Sequence, residues 1–255
     1  MTKVMKYALL DLLRSRVVLG YAVSLLAVSW GLFQLESDSS KALLSLINVV
    51  LVIVPLLCTV FTVTYSYNAQ EFTELLLVQP IPRSHIILGQ MAAVAVALEA
   101  SFVLGVGLPL ALFAQEWAAV TLAMSGILLT LVFVALAFAI AVRLRDKAKG
   151  VGAALLAWFY FALLYDGLLL LFLFLFYDYP IEKWVLPLAS LNPVDLARIL
   201  VLLHVDLSAL MGYSGAVYKQ FFGSALGIAY TSALMLVWIL IPAWAALRTF
   251  KRKDF

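Results

Sequence analysis

The sequence has little charge and almost no cysteine, which excludes several classes of protein. Only 12% of its 255 residues are charged, whereas soluble domains carry roughly 25%. The single cysteine, Cys58, cannot form a disulfide within the chain. A net charge of +3 is too small to indicate a nucleic-acid-binding protein.

Motifs that usually carry chemistry are also missing. No stretch matches GxxxxGK[ST], HExxH or CxxC, so the sequence shows no P-loop, zinc-protease helix or thiol pair. The histidines, His85 and His204, stand apart, and we interpret each as a polar loop or helix-end residue. The methionines within the predicted spans, Met91, Met124 and Met235, do not form a soft-metal relay with the single cysteine. We therefore expect no catalytic residue, metal site or cofactor in this chain, and no ATPase site.

What the sequence does contain is apolar residues, which make up 65% of the chain with a mean hydropathy of +1.09. A helix needs about 20 apolar residues to cross the hydrocarbon core of a bilayer. Six segments meet that requirement. We predict an all-α integral membrane protein in which residues 1–255 form one transmembrane domain, with spans near Val17–Leu35, Leu43–Tyr65, Ile86–Phe113, Trp117–Val142, Val151–Phe176 and Phe222–Leu247.

Basic residues are distributed unequally between the two sides that these spans define. One side would hold 13 of the lysines and arginines, in the N-terminal segment, near Arg83, at residues 143–149 and at the C-terminus. The other side would hold 4, namely Lys41, Lys183, Arg198 and Lys219. The positive-inside rule places the basic side, and both chain termini, in the cytoplasm.

Residues 1–16 show a helical pattern of apolar positions. Met1, Val4, Met5, Ala8, Leu9, Leu12 and Leu13 recur at spacings of three and four residues. This pattern predicts an amphipathic helix that lies on the membrane surface. The alternative is a frayed tail.

Residues 177–221, between spans five and six, are predicted to form short periplasmic helices packed on the other spans, either at the outer surface or dipping into the membrane. Asn192 is the predicted N-cap of one helix, with Pro193 at its first position and Asp195 in its first turn. We interpret Asp195 and Arg198, three residues apart, as an ordinary ion pair on the helix surface.

Two acidic residues, Glu99 and Asp166, fall near the middle of spans three and five. Each costs about 2.5–3.5 kcal/mol at the centre of an inserted helix, and no Lys or Arg is predicted at that depth. One interpretation is a cation or proton site, or the lining of a translocation path. The other is a neutral carboxyl that is hydrogen-bonded to a neighbouring group such as the hydroxyl of Tyr160 or Tyr165.

Residues 66–84 form a short polar insert between spans two and three, in which EFTELLLVQPIPRSH begins at Glu71. Residues Glu71–Val78 are predicted to be helical, and Pro80 and Pro82 to end the helix. An apolar ridge and an acidic strip suit docking into the groove of a soluble partner; the ridge comprises Phe72, Leu75, Leu76 and Gln79, and the strip Glu71, Glu74 and Val78. The alternative is a turn held only by its own spans.

This insert resembles the coupling segment of ABC-2 type permeases. The resemblance rests on Glu71, Phe72, Glu74, Leu75, Leu76, Leu77, Gln79, Pro80, Arg83 and Gly89. It implies that the segment docks on a separate cytoplasmic ATPase, which would bind the ATP and magnesium.

The second half of the chain resembles a narrower group, the NosY-type permeases. The strings that carry the resemblance are LLYDGLLLLFLFLF, LNPVDLARILVLL, DLSALMGYSGAVY and the terminal KRKDF. It implies a homodimer in the bacterial inner membrane, with a NosF-type ATPase and a periplasmic β-helical protein of the NosD type. Such a transporter supports assembly of the copper–sulfur centres of nitrous oxide reductase. A sulfur or copper species would cross, or the permease would only transmit motion to its outer partner.

Other function classes remain open at this point. A proton-coupled secondary transporter could use Glu99 and Asp166, although the sequence has no internal repeat of the kind that many such transporters show. A membrane-embedded enzyme has neither a nucleophile–base pair nor a metal cluster to support it.

Overall fold

The computed structural model describes residues 2–36, 38–114, 117–176, 187–202 and 225–252, and all regular structure within them is helical. This confirms the predicted all-α fold. Six helices are long and apolar enough to cross a membrane, as predicted: Arg16–Leu35, Ser39–Asn68, Arg83–Phe113, Trp117–Arg143, Lys147–Leu175 and Gly227–Arg252.

We number the helices in chain order. The three outside the spans are α1 (Thr2–Leu13), α4 (Gln70–Leu77) and α10 (Pro193–Leu202). The spans are built from α2 (Arg16–Leu35), α3 (Ser39–Asn68), α5 (Arg83–Phe102) continued by α6 (Leu108–Phe113), α7 (Trp117–Arg143), α8 (Lys147–Phe159) continued by α9 (Tyr165–Leu175), and α11 (Ala225–Arg252).

Span four, α7, is the centre of the described bundle. It contacts α3, α5, α10 and α11, and 72% of its apolar window is buried. Many of its buried residues are small, and small residues let helices approach closely in a membrane. Spans five and six are only 11% buried by the same measure, so most of their surface is available to lipid or to another protein.

Spans three and five each contain a π-helical segment, at Val103–Gly107 and Tyr160–Leu164. Such segments are often found at functional positions in helices. At the first one, span one approaches so closely that a Cβ on Gly105 would lie 2.5 Å from the Cβ of Leu25. The close approach therefore requires glycine at position 105.

Helix α1 corrects the prediction that the N-terminal stripe faces the membrane. Val4, Ala8 and Leu12 are buried in the core of the protein, and α1 contacts α5. Tyr7 and Leu10, on the remaining surface, are exposed and can meet lipid. The helix is thus attached to the bundle by the same apolar stripe that predicted it.

Because the number of spans is even, the chain returns to the side of the membrane where it started, so α1 and the end of α11 lie at the same side. We call this side, where α1, α4 and the end of α11 lie, the N/C face. The asymmetry of basic residues predicts that it is cytoplasmic.

This orientation predicts the labelling of single cysteines introduced into a Cys58→Ser background. Ser39 and Ala148 are exposed at opposite ends of the bundle. In intact cells, an impermeant maleimide should label Ser39→Cys and spare Ala148→Cys until the inner membrane is permeabilised. The reverse pattern would contradict the orientation.

Candidate functional site

The insert between spans two and three folds into helix α4, Gln70–Leu77, close to the predicted helix Glu71–Val78. The chain then leaves the helix through the segment containing Pro80 and Pro82, and α5 begins at Arg83. The prolines end the helix as predicted, because proline cannot continue the backbone hydrogen-bond ladder.

One face of α4 anchors it to the bundle. Thr73 and Leu76 are buried, and Gln90 of α5 donates a hydrogen bond of 2.8 Å from Nε2 to Thr73 Oγ1. The prediction that Leu76 belongs to the docking ridge is therefore wrong, because its side chain packs against the protein itself. Sequence periodicity could not distinguish the two apolar faces of so short a helix.

The opposite face of α4 is open to solvent. Leu75 is 68% exposed, Val78 is 88% exposed and Phe72 is 38% exposed. The exposed surface also includes Glu71, Glu74, Gln79 and Pro80. It combines apolar side chains with two carboxyl groups on a helix that projects from the spans, a surface suited to contact with a soluble protein.

Arg83, the last residue of the insert that the resemblance includes, is exposed and also contacts span six. Its Nη1 donates a 3.2 Å hydrogen bond to the carbonyl oxygen of Lys251, near the end of α11. Arg83 thus connects the start of span three to the end of span six rather than only presenting charge to a partner.

A cavity of about 730 Å³ extends from α4 into the bundle. Phe72 lines it at the N/C face, and Tyr21 and Leu98 line it at greater depth. Most of its surface is apolar, with a few polar side chains such as Asp11, Tyr65 and Asn68.

Glu99, next to Leu98 in the chain, lies at the middle of span three as predicted. Both of its carboxyl oxygens are buried, and neither has a hydrogen-bond partner among the residues that the structure describes. Tyr21 of span one and Cys58 of span two are its polar neighbours. The junction of three spans therefore holds an unsatisfied acid beside the inner part of the cavity.

Asp166 pairs with a basic residue, whereas the sequence predicted no Lys or Arg at its depth. Arg198 Nη1 lies 2.6 Å from Asp166 Oδ2 and 3.2 Å from Asp195 Oδ1. Asp195 is buried, so its pair with Arg198 is not the ordinary ion pair on a helix surface that the sequence suggested. Two carboxyls share one guanidinium. Within the described part of the chain, Asp166 Oδ1 and Asp195 Oδ2 have no hydrogen-bond partner.

Helix α10 starts as predicted, with the Asn192 side chain accepting a 3.0 Å hydrogen bond from the backbone N–H of Val194. Asn192 Nδ2 also donates a 2.9 Å bond to the carbonyl oxygen of Phe161, the middle residue of span five. Tyr165 donates its hydroxyl hydrogen to the carbonyl of Leu188 and not to a neighbouring acid.

These contacts place the start of α10 beside the middle of span five, so α10 packs among the spans and dips into the part of the protein that crosses the membrane. A helix of ten residues is too short to register as a span, and the sequence therefore left open whether this segment lies at the outer surface or dips into the membrane. The capping pattern around Asn192 and an acid within span five were the available signals. Residues 177–186 and 203–224 of the predicted outer segment, including His204, lie outside the described residues.

Comparison with known protein families finds a match to one family model. Residues 69–255 match the profile described as ABC-2 family transporter protein. The matched region begins just before α4 and includes spans three to six. No curated protein matches the chain significantly.

The ion pair predicts thermodynamic coupling between Asp166 and Arg198. In a double-mutant cycle of Asp166→Asn and Arg198→Gln, residues in direct contact should couple by about 0.5–3 kcal/mol. Unfolding of the purified protein by SDS titration in mixed micelles provides the free energies.

A matched cycle of Asp166→Asn with Lys149→Gln is the control. Lys149 lies on the same span at about 25 Å along the helix, given 1.5 Å per residue. Equal coupling in the two cycles would contradict a specific ion pair.

Proposed function

We propose a function on the premise that the chain belongs to the ABC-2 family of transporter proteins, whose profile matches residues 69–255. The chain is a multi-pass membrane permease subunit of an ABC transporter, and it requires an ATPase partner. In such transporters the ATPase is normally a separate protein.

The narrower proposal is that this permease supports assembly of the copper–sulfur centres of nitrous oxide reductase. The strings LLYDGLLLLFLFLF and LNPVDLARILVLL support it, since they resemble NosY-type permeases. The working unit is then a homodimer in the bacterial inner membrane, with both termini in the cytoplasm. Its partners are a NosF-type ATPase, which binds ATP and magnesium, and a NosD-type periplasmic protein.

Helix α4 is the proposed ATPase dock, and its exposed face is the observation that carries this assignment. Leu75 and Val78 are more than two-thirds exposed although they are apolar. They lie outside the spans, where no lipid chain would cover them, beside Glu71 and Glu74. A partner that covers them gains the free energy of burying apolar surface, about 25 cal/mol per Å².

The contacts of α4 and α5 provide a route for movement into the membrane. Thr73 is hydrogen-bonded to Gln90 of span three, and Arg83 is hydrogen-bonded to the end of span six. A displacement of α4 by the ATPase would therefore act on spans three and six together. These spans contact the central α7, which in turn contacts α10.

Helix α10 is the proposed element that transmits movement of the spans to the periplasmic side. Its contacts with Phe161 and Asp166 connect it to span five, so rearrangement of the spans would shift the segment that leads toward a periplasmic partner. Either a sulfur or copper species crosses during this movement, or the movement itself is what the outer partner receives.

Glu99 is the proposed polar group of the translocation path. It lies beside the inner part of the 730 Å³ cavity, and its carboxyl oxygens have no partner in the described chain. A carboxyl in that position can receive a proton or a cation. The family match favours ATP over a proton gradient as the energy source, so the secondary transporter is the weaker alternative.

Docking through α4 predicts that disrupting its exposed face releases the ATPase. The triple variant Glu71→Lys, Phe72→Ala, Glu74→Lys should reduce ATPase retention at least about tenfold, the ratio that 1.4 kcal/mol of lost binding free energy gives. Retention is measured by pull-down of the ATPase with purified permease in detergent.

The matched control is Lys149→Glu with Leu156→Ala, which alters an exposed charge and an exposed apolar side chain outside α4. It should retain the ATPase as the wild type does. Wild-type retention by the triple variant would exclude α4 as the main dock.

The role of the intramembrane acids predicts defects in reductase maturation. Glu99→Gln and Asp166→Asn preserve side-chain size but remove the charge. In a strain lacking the native permease, each variant should express normally but give less reductase with the spectrum of the copper–sulfur centres. Full maturation with both variants would mean that neither charge is needed. The strain that lacks the permease is the control, and it must fail to mature the reductase.

A further inference from the structure

Four arginines surround a second cavity, at the N/C face between spans four and six. The cavity has a volume of about 370 Å³, and its lining comprises Val142, Arg143, Arg145, Arg248, Thr249 and Arg252. Arg143 is the last residue of α7, while Arg248 and Arg252 lie in the last turns of α11. Two separate helix ends thus contribute guanidinium groups to one concave site.

These charges are not neutralised by the part of the chain that the structure describes. Both ion pairs found there involve Arg198. The nearby Asp146 accepts a hydrogen bond from the backbone of Lys149 and caps α8. Glu74 and Arg145 line an adjacent cavity, but no ion pair joins them. Four clustered cations that have no carboxylate partner among the described residues favour an anionic ligand.

The surface next to the cavity indicates what kind of anion binds. Val237, Ile241, Trp244 and Arg248 follow each other at spacings of four, three and four residues, so they lie on one face of α11. The three apolar residues are 44%, 62% and 58% exposed. The Arg248 guanidinium lies 5.1 Å from the centre of the Trp244 ring.

This face is apolar within the span and cationic at its end, with a tryptophan at the boundary. Tryptophan is enriched at the membrane–water interface, at the level of the lipid headgroups. A soluble anion or an acidic protein surface would match the arginines but not the apolar strip that leads to them. A phospholipid matches both, with its acyl chains along α11 and its phosphate among the guanidiniums.

We propose that the cavity formed by Arg143, Arg145, Arg248 and Arg252 is a binding site for an anionic phospholipid of the leaflet at the N/C face. Guanidinium groups bind phosphate oxygens through paired hydrogen bonds. Since four cations exceed the charge of one phosphodiester, a lipid with two phosphates, such as cardiolipin, binds more tightly than phosphatidylglycerol. A zwitterionic lipid binds weakest.

The site is tested on the purified permease alone, so the outcome does not depend on the proposed ATPase or reductase. Native mass spectrometry measures the Kd of cardiolipin, phosphatidylglycerol and phosphatidylcholine. We expect Arg143→Gln with Arg248→Gln to weaken cardiolipin binding about 25-fold, from about fivefold per basic residue. The Kd for phosphatidylcholine should not change.

Two further variants separate the site from general charge and folding effects. Lys3→Gln with Lys6→Gln removes the same charge from exposed positions of α1 at the same face and should leave the affinity unchanged. Arg143→Lys with Arg248→Lys keeps the charge and should bind better than the glutamine pair. The proposal fails if the α1 variant loses as much affinity, or if the lysine and glutamine pairs are equally weak.

Inorganic phosphate and pyrophosphate distinguish a lipid from a soluble ligand. If millimolar concentrations leave cardiolipin bound, the lipid is the ligand. If micromolar phosphate displaces it, or if the wild type does not discriminate between cardiolipin and phosphatidylcholine, the lipid assignment is overturned. It is also overturned if the glutamine pair binds cardiolipin normally but loses the ATPase in a parallel pull-down.

Discussion

Arg198 bonds to Asp166 and Asp195, and the position of the re-entrant helix depends on this contact. The hydrocarbon interior offers no hydrogen-bond partners, so polar groups at depth must be satisfied by the protein. Five buried hydroxyls in the spans meet this requirement within their own helix: Ser29, Thr59, Ser101, Thr130 and Thr231 each donate to the carbonyl four residues earlier. Arg198 and Asp195 lie on α10, but Asp166 lies on span five, so the contact of Arg198 with Asp166 joins the two helices and fixes how they pack.

The same constraint separates a structural acid from a candidate functional one. Asp166 pairs with the Arg198 cation and helps to hold α10 against span five. Glu99 has no partner among the described residues and lies beside a large cavity. The two acids looked equivalent in the sequence because both fall within apolar segments. Only the fold shows that one is neutralised by a residue 32 positions later in the chain. Their replacement therefore tests two different parts of the transport cycle.

The spans, the cap of α10 and the helix of the insert could be predicted from the sequence because each depends on local patterning. Apolar length defines a span, and proline and asparagine mark helix boundaries near Pro80 and Asn192. What could not be predicted depends on contacts between distant segments. Leu76 faces the bundle because Thr73 bonds to Gln90, and α1 packs on α5 instead of only on lipid. Neither contact is visible in the periodicity of its own helix.

Helix α4 is the proposed surface through which an ATPase drives this permease. Photocrosslinking in cells from benzoylphenylalanine incorporated at Leu75, which is 68% exposed, tests this assignment. We expect an adduct whose partner, identified by mass spectrometry, contains the P-loop motif GxxxxGK[ST]. The probe at Leu156, which is 70% exposed on span five, should give no such adduct. If the Leu75 probe in a functional permease crosslinks no P-loop protein, or if both probes capture it equally, α4 is not the surface that binds the ATPase.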